Sequence, residues 1–294
     1  MMARERNKLQ SAMEYLMTYG WAILIIAVVL GALFQLGIFN ASTFTPKAPP
    51  GSCQVFRPNG PYTTSFLNLE GICNGELPQY VMEATSTSAA ITVTPIAALE
   101  PSKFTISLWF YQTSMVSGGG YPGAIGVYSS YVQGYQVLLG YAPDPATPGI
   151  TVGNAGIEHY ENIGTGTYKA GSWSHFVATF DGNLVSAYFN GKYISSTTAG
   201  GITYSGVGSF YVFRNAGNVR TYMSNLQFYN ASLSANEISA LYNEGIGGAP
   251  VQLNNLVGWW PLNGDAKDYS GNNNNGVPTS ISFTNNWASD YTPP

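Results

Sequence analysis

Trp173-Ser174-His175-Phe176-Val177-Ala178-Thr179-Phe180-Asp181-Gly182-Asn183-Leu184-Val185-Ser186-Ala187-Tyr188-Phe189-Asn190-Gly191-Lys192-Tyr193-Ile194 is the stretch that decides the fold. An apolar run from Trp173 to Phe180 breaks at Asp181-Gly182-Asn183. It resumes from Leu184 to Phe189, breaks again at Asn190-Gly191, and resumes at Lys192. Asp-Gly and Asn-Gly between short runs are hairpin signals, since these residues reach the positive φ of tight antiparallel turns at little cost. The stretch therefore predicts three consecutive antiparallel strands.

The same pattern extends on both sides. Phe104-Thr105-Ile106-Ser107-Leu108-Trp109-Phe110-Tyr111 alternates apolar and hydroxyl residues before its apolar close. Ala124 to Tyr128 and Tyr135 to Tyr141 are further runs, split by Gln133-Gly134, and Phe210 to Phe213 and Met223 to Tyr229 follow the Gly-rich Ala199-Gly200-Gly201. Many short strands without intervening helices predict a mainly β sandwich or jelly roll over the head of the chain.

Trp173 to Gly182 followed by Ala187-Tyr188-Phe189-Asn190-Gly191-Lys192 resembles the central hairpins of laminin-G-like, concanavalin-A-like jelly rolls. Met223 to Ser234 is similar to the family's late strand, and the resemblance covers roughly residues 89 to 245. A short helix follows over Ala235 to Asn243, closed by Glu244-Gly245, with Ser234 and Glu237 spaced as a capping box. Ile238, Leu241 and Tyr242 share one face, so this helix is expected to pack on the sandwich. Leu256-Val257-Gly258-Trp259-Trp260-Pro261-Leu262-Asn263-Gly264-Asp265 and Asp268-Tyr269-Ser270-Gly271-Asn272 resemble the opening strand and loop of such domains, displaced to the end. The segment 250–294 is expected to complete the sandwich of its own chain, with donation to a neighbour as the alternative. The head is thus read as 89–294.

The N-terminal part is of another kind. Arg4, Arg6 and Lys8 precede Gln10-Ser11-Ala12-Met13-Glu14-Tyr15, after which Leu16 to Phe39 carries no charge. About twenty apolar residues suffice to cross a bilayer, and the basic flank should stay cytoplasmic. No small-residue cleavage site follows the apolar stretch, so the segment is expected to be retained. The arrangement resembles the class III signal peptide of archaeal type IV pilins. That resemblance implies a cytoplasmic leader, 1–9, removed by a prepilin peptidase between Leu9 and Gln10. It implies a helix over 10–40, membrane-embedded before assembly and forming the filament core after it. It also places Glu14 fifth in the mature chain, where the family keeps a glutamate that pairs with a neighbour's new α-amino group. Leu9 departs from the glycine or alanine usual there.

Between helix and head, 41–88 forms a hinge and entry segment. Pro46, Pro49 and Pro50 keep Thr45 to Gly51 semi-extended. Cys53 and Cys73 are the two cysteines of the chain. In an exported protein they read as a disulfide, worth about 3 kcal/mol for a loop of that length, with two free thiols as the alternative. Asn40-Ala41-Ser42 and Asn230-Ala231-Ser232 are N-glycosylation sequons.

Composition narrows the functional classes. Only 9% of the residues are charged and the net charge is −4, against about 25% charged in an ordinary domain. No basic cluster follows the tail, which disfavours nucleic acid, and the Tyr-, Thr- and Asn-rich balance suits an extracellular layer better than a cytosolic enzyme. A concanavalin-like hydrolase needs paired carboxylates on one strand, and no such pattern occurs. Glu158 and Glu161 flank His159-Tyr160 in what reads as a solvated loop, while His175, in mid-strand beside Trp173, reads as a buried structural histidine. No enzyme is expected. The laminin-G resemblance implies Ca²⁺ as a candidate cofactor, with Asp265, Asp268 and Asn272 as oxygen ligands, but capping of the turn by Asp268 and Ser270 is the favoured reading. Tyr128, Tyr131, Tyr135, Tyr141, Tyr160 and Tyr168 could stack on sugars, although most should be packing. The expected function is a structural subunit of an archaeal type IV pilus-like surface filament, a homo-oligomer with adhesive, lectin-like heads. The alternative is an unpolymerised membrane-anchored lectin.

Overall fold

The computed structural model describes residues 17, 19–31, 54–56, 65–67, 77–115, 122–130, 132–140, 147–206, 208–215, 217, 219–287 and 291–294. The chain divides into an N-terminal unit carrying one helix and a second unit carrying the sheets. Helix α1 is described over 19–31, and apart from Met17 the rest of the expected span of 10–40 lies outside the described residues. Among the described residues no helix is long and apolar enough to cross a membrane. Its side chains are apolar all round, so no face is singled out for burial. Trp21, Ile23 and Val28 are 64% to 66% exposed within the chain. Leu9, Gln10, Glu14, Asn40, Cys53 and Cys73 lie outside the described residues.

The second unit is mainly β. In chain order its strands are β1 (Gln54–Phe56), β2 (Ser65–Leu67), β3 (Val81–Ala84), β4 (Ala90–Val93), β5 (Phe104–Gln112), β6 (Pro122–Ser130), β7 (Gln133–Leu138), β8 (Gly149–Asn154) and β9 (Ile157–Asn162). They continue with β10 (Ser174–Phe180), β11 (Leu184–Phe189), β12 (Lys192–Thr198), β13 (Phe210–Asn215), β14 (Thr221–Tyr229), β15 (Leu256–Trp260), β16 (Val277–Thr279) and β17 (Ser282–Thr284). An eight-stranded sheet runs β12-β11-β10-β5-β14-β3-β17 with β15 also on β14, and a seven-stranded sheet runs β16-β4-β13-β6-β7-β8-β9. β1 and β2 pair separately. Every pairing in the two large sheets is antiparallel. The sandwich expected from the turn spacing is present, and it also draws β3 from ahead of residue 89.

Both decisive turns form as the sequence implies. Asp181 Oδ1 accepts from the Asn183 and Leu184 amides at 2.8 and 2.7 Å. Asn190 and Gly191 both have positive φ, 48° and 75°, the signature of a two-residue type I′ hairpin. The core between the sheets is aromatic. Phe104 lies 4.3 Å from the Tyr135 ring, 5.6 Å from Phe180 and 6.2 Å from Phe228, and Phe210 stacks on Trp260 at 5.4 Å. Each such ring removed from water contributes about 1.5–3 kcal/mol. Tyr135 is 1% exposed, and its hydroxyl donates to the Leu99 carbonyl at 2.6 Å, which offsets the cost of burying it.

β10 is buried at every residue, because the outer side of its sheet is roofed. Helix α2 (Ala235–Asn243) starts with the capping box Ser234–Glu237. It sets Ile238 and Leu241 against Val177, Tyr229, Leu256 and Trp259. His175 lies under this roof, 1% exposed. Ser107 Oγ is 2.8 Å from its Nε2, and its ring lies 5.1 Å from Trp109 and 5.9 Å from Tyr242. Burial lowers its pKa to about 3, so the ring is neutral and structural, as expected.

The C-terminal segment completes the sandwich within the chain. β15 takes the edge of β14 beyond the part paired with β3. β16 then extends the seven-stranded sheet through β4, and β17 extends the eight-stranded sheet through β3. One sequence difference is notable: Glu158 to Glu161 form part of strand β9, not a loop. Polar residues suit an edge strand with one neighbour, where no continuous apolar run marks it.

Candidate functional site

The outer face of the seven-stranded sheet carries polar and aromatic residues between core positions. Ile125 and Val127, Tyr135 and Val137, and Ile150 and Val152 face the core, so Gly126, Tyr128, Gln136 and Thr151 lie on the other side. Register aligns Tyr211, Gly126, Gln136, Thr151 and Tyr160 across five neighbouring strands, a row of four strand spacings or about 19 Å. A parallel row holds Tyr128, Gly134, Gly153 and Glu158.

A bulge in β13 builds the polar cluster at one end. Register shifts between Tyr211 and Phe213 put both Val212 and Phe213 into the core. Tyr211 and Arg214, three residues apart, therefore emerge on one face, whereas strict alternation would separate them. Arg214 Nη1 donates to the Tyr128 hydroxyl at 2.7 Å, and its guanidinium carbon lies 5.4 Å from the Tyr211 ring centroid. The two tyrosine rings are 5.9 Å apart at 40°. Arginine thus locks two half-exposed rings into a platform, a geometry that presents π-faces and donors together.

Gly126 is required beside it. Its φ is +136°, and a Cβ there would come within 2.4 Å of the Tyr135 carbonyl oxygen. At the other end, Tyr160 lies over Gly149, where a Cβ would meet its ring and hydroxyl at 2.7 Å. Glu158 Oε1 is buried with no hydrogen-bond partner among the described residues, and desolvation raises its carboxyl above the ordinary value. Glu161 points the opposite way, accepting from Ser195 Oγ of the facing sheet at 2.6 Å, so the two carboxylates do not form a pair.

Against this geometry the family can be stated. The model of the concanavalin A-like lectin/glucanases superfamily, in its laminin G form, matches residues 85–239. The chain belongs to this superfamily. Among solved structures, a Bacteroides ovatus protein provisionally described as carbohydrate binding superposes on this concanavalin A-like chain with a TM-score of 0.52 at 16% identity. The match covers 76% of this chain and 66% of that protein, and it is a likeness of fold. The binding domain of botulinum neurotoxin DC gives 0.40 at 14% identity, over 65% of this chain and 51% of its own. A SAP-like pentraxin from Limulus polyphemus gives 0.40 at 12%, over 71% and 91%. No curated protein matches the chain.

The remaining expected site residues of this concanavalin A-like chain fall elsewhere. Asp268 Oδ1 accepts from the Trp259 and Ser270 amides at 2.9 and 2.8 Å. Its Oδ2 accepts from Ser270 Oγ and the Asn274 amide, both at 2.9 Å. A carboxylate has about four acceptor positions, and here donors fill them. Asp265 accepts from the Lys267 amide and the Tyr269 hydroxyl at 3.1 and 3.2 Å. Asn272 turns its Nδ2 toward the Leu256 and Val257 carbonyls, both at 3.0 Å. These three residues do not fit a Ca²⁺ site; Asp268 and Asn272 bond the backbone of β15, and Asp265 caps its own loop. Among the described residues no group of three His, Cys, Asp or Glu side chains is gathered for a metal. Asn230 is exposed at the end of β14. Of the tyrosines singled out, Tyr135 and Tyr168 are core, Tyr128 and Tyr160 lie on the outer face, and Tyr131 and Tyr141 lie outside the described residues. Tyr211, Arg214, Gln136 and Thr151 were not legible, because the β13 bulge and the strand register decide their side.

Proposed function

We propose that the chain is a subunit of an archaeal type IV pilus-like surface filament whose lectin-like heads present the Tyr128–Tyr211–Arg214 face to glycans. The observation that carries the assembly part is α1: over 19–31 it holds no charge, and its large apolar side chains from Trp21 to Leu30 are 45% to 66% exposed within the chain. Apolar surface of that extent requires cover, and other copies of the same helix supply it. Cleavage before Gln10 frees an α-amino group that can pair with Glu14, so an otherwise costly carboxylate in an apolar bundle gains a cation and one axial register is favoured. Before assembly the helix resides in the membrane with the leader cytoplasmic; afterwards the head is extracellular. Leu9, in place of a small residue, favours the second reading, an uncleaved anchored lectin.

The test is the mature terminus together with Glu14→Ala. We expect filaments whose chains begin at Gln10, and a substituted protein that is exported and folded but forms few or no filaments. Filaments from the substituted protein in normal number, or an intact leader on surface protein, would transfer the function to the anchored lectin.

A further inference from the structure

β14 ends where the surface begins. Tyr229, its last residue, is 0% exposed, and its hydroxyl donates to Gln227 Oε1 at 2.6 Å. The next residue, Asn230, is exposed. The chain re-enters the core at Leu233, 3% exposed, just before helix α2. Asn230-Ala231-Ser232 is therefore a short surface stretch between two buried anchors, and its own backbone is held as well. The Asn230 amide donates to the Asn255 carbonyl at 3.0 Å. Thr105 Oγ1 donates to the Ala231 carbonyl at 2.7 Å and accepts from the Leu233 amide at 2.9 Å.

The fold makes no use of the two polar side chains in this stretch. Elsewhere in the head asparagine carboxamides are structural. Asn215 and Asn225 donate to backbone carbonyls, both at 2.9 Å, Asn190 accepts from the His175 amide at 2.9 Å, and Asn274 donates to the Val257 carbonyl at 2.7 Å. Asn230 Nδ2 and Ser232 Oγ have no hydrogen-bond partner among the described residues. A group attached to Nδ2 therefore displaces no hydrogen bond, and the backbone beneath it stays where it is. The residue types are specific too. A hydroxyl two residues after an asparagine, with a residue other than proline between them, is the acceptor pattern of N-glycosylation. It occurs at Asn40 and Asn230, and of the two only Asn230 lies among the described residues.

We infer that Asn230 is a modification site and carries an N-linked sugar chain in the exported protein. Its Nδ2 forms a bond to C1 of a lipid-phosphate-linked oligosaccharide. The bond from C1 to the phosphate oxygen breaks, the electron pair leaves with the lipid phosphate, and the carboxamide gives up one proton. The Ser232 hydroxyl serves recognition by the transferase and is not consumed. The inference rests on the proposed extracellular placement of the head, since such sequons are used in secreted chains. The sugar chain stands beside the Leu253–Asn255 turn and near the capped start of α2, and it keeps that end of the head at solvent. Contacts between neighbouring heads then lie elsewhere.

The experiment takes the protein from the cells that make it, digests it with trypsin and determines the mass of peptide 221–267. Trypsin releases this peptide whole, because no Lys or Arg lies between Arg220 and Lys267. The expected result is a mass raised by whole sugar residues, with fragmentation placing them on Asn230. Asn230→Gln and Ser232→Ala should each abolish the increase while leaving export and folding intact, and Ser232→Thr should keep it. An unmodified peptide from protein that added protease reaches on intact cells would overturn the inference and leave the proposed function standing. An unmodified peptide from protein that the protease cannot reach would overturn both. A mass increase that survives Asn230→Gln or Ser232→Ala would also sink the inference, since the sugar would then lie on another residue or be attached without the sequon.

Discussion

The two outer faces of the sandwich start from the same period-two alternation and differ at one end of the seven-stranded sheet. On the eight-stranded sheet, outward residues such as Trp109 and His175 are large or buried, 3% and 1% exposed, because α2 and the C-terminal segment cover them. On the seven-stranded sheet the outward Gln136 and Thr151 are buried as well, 4% and 3% exposed, whereas at one end Tyr128 and Tyr211 are half-buried and Arg214 is exposed. Alternation states only that a residue leaves the core; whether it then meets protein or solvent depends on what is laid over the sheet. A covered position contributes stability, and on the seven-stranded sheet only the Tyr128–Tyr211–Arg214 end is open to solvent.

Three substitutions would break or sharpen this contrast. The largest effect is expected from Trp109→Ala. Its ring stacks on Tyr242 at 5.7 Å and 13° and meets Tyr291 edge-on at 5.6 Å, so its removal undoes the roof and should cost about 3–5 kcal/mol. Chemical denaturation of the full chain measures this, and a loss below 1 kcal/mol, on the order of a surface change, would mean that the roof is not structural.

His175 gives a smaller, pH-dependent effect. Its folded pKa is lowered to about 3 by burial, while an unfolded histidine titrates near 6.5. As pH falls below about 6.5 the unfolded chain takes up a proton that the folded chain refuses, so stability is lost progressively down to about pH 3, by up to about 1.4 kcal/mol per pH unit. The thermal midpoint of the wild-type chain should therefore fall more steeply between pH 6.5 and 4 than that of His175→Gln. Parallel curves would show that the histidine is not sealed beneath α2.

Arg214→Ala is the smallest change for folding. It removes an exposed side chain, so stability should move by no more than about 0.5 kcal/mol. The tyrosine pair loses its clamp, and under the proposed function binding of the protein to an immobilised glycan panel should weaken about tenfold, near 1.4 kcal/mol. A destabilisation comparable to that of Trp109→Ala would make this face structural as well and erase the contrast.

Local features were the legible ones. Asp181-Gly182 and Asn190-Gly191 mark their turns because the required φ belongs to few residues. Ser234 and Glu237 mark the start of α2 because their side chains satisfy amides three residues apart. The helical run after Leu16 stands out by the absence of charge, although the structure describes helix only over 19–31. The β9 strand was misread as a loop, since Glu158, His159, Tyr160 and Glu161 carry no apolar signal at an edge. The acidic loop after β15 suggested oxygen ligands. Only its hydrogen bonds reveal that Asp268 is saturated by amides and a hydroxyl.

The sequence by itself determined the strands of the central hairpins, the capped helix, the sandwich class and the separation of a charge-free helix from a charge-poor head. These follow from periodicity and turn chemistry, which act over a few residues. The tertiary structure decided where the displaced segment after residue 250 goes, how the β13 bulge brings Tyr211 and Arg214 to one face, and how Trp287 packs edge-on against Trp173. Each of these depends on contacts between residues far apart in the chain. Their geometry is set by which edges and faces remain uncovered once the core has closed, and no local pattern encodes that.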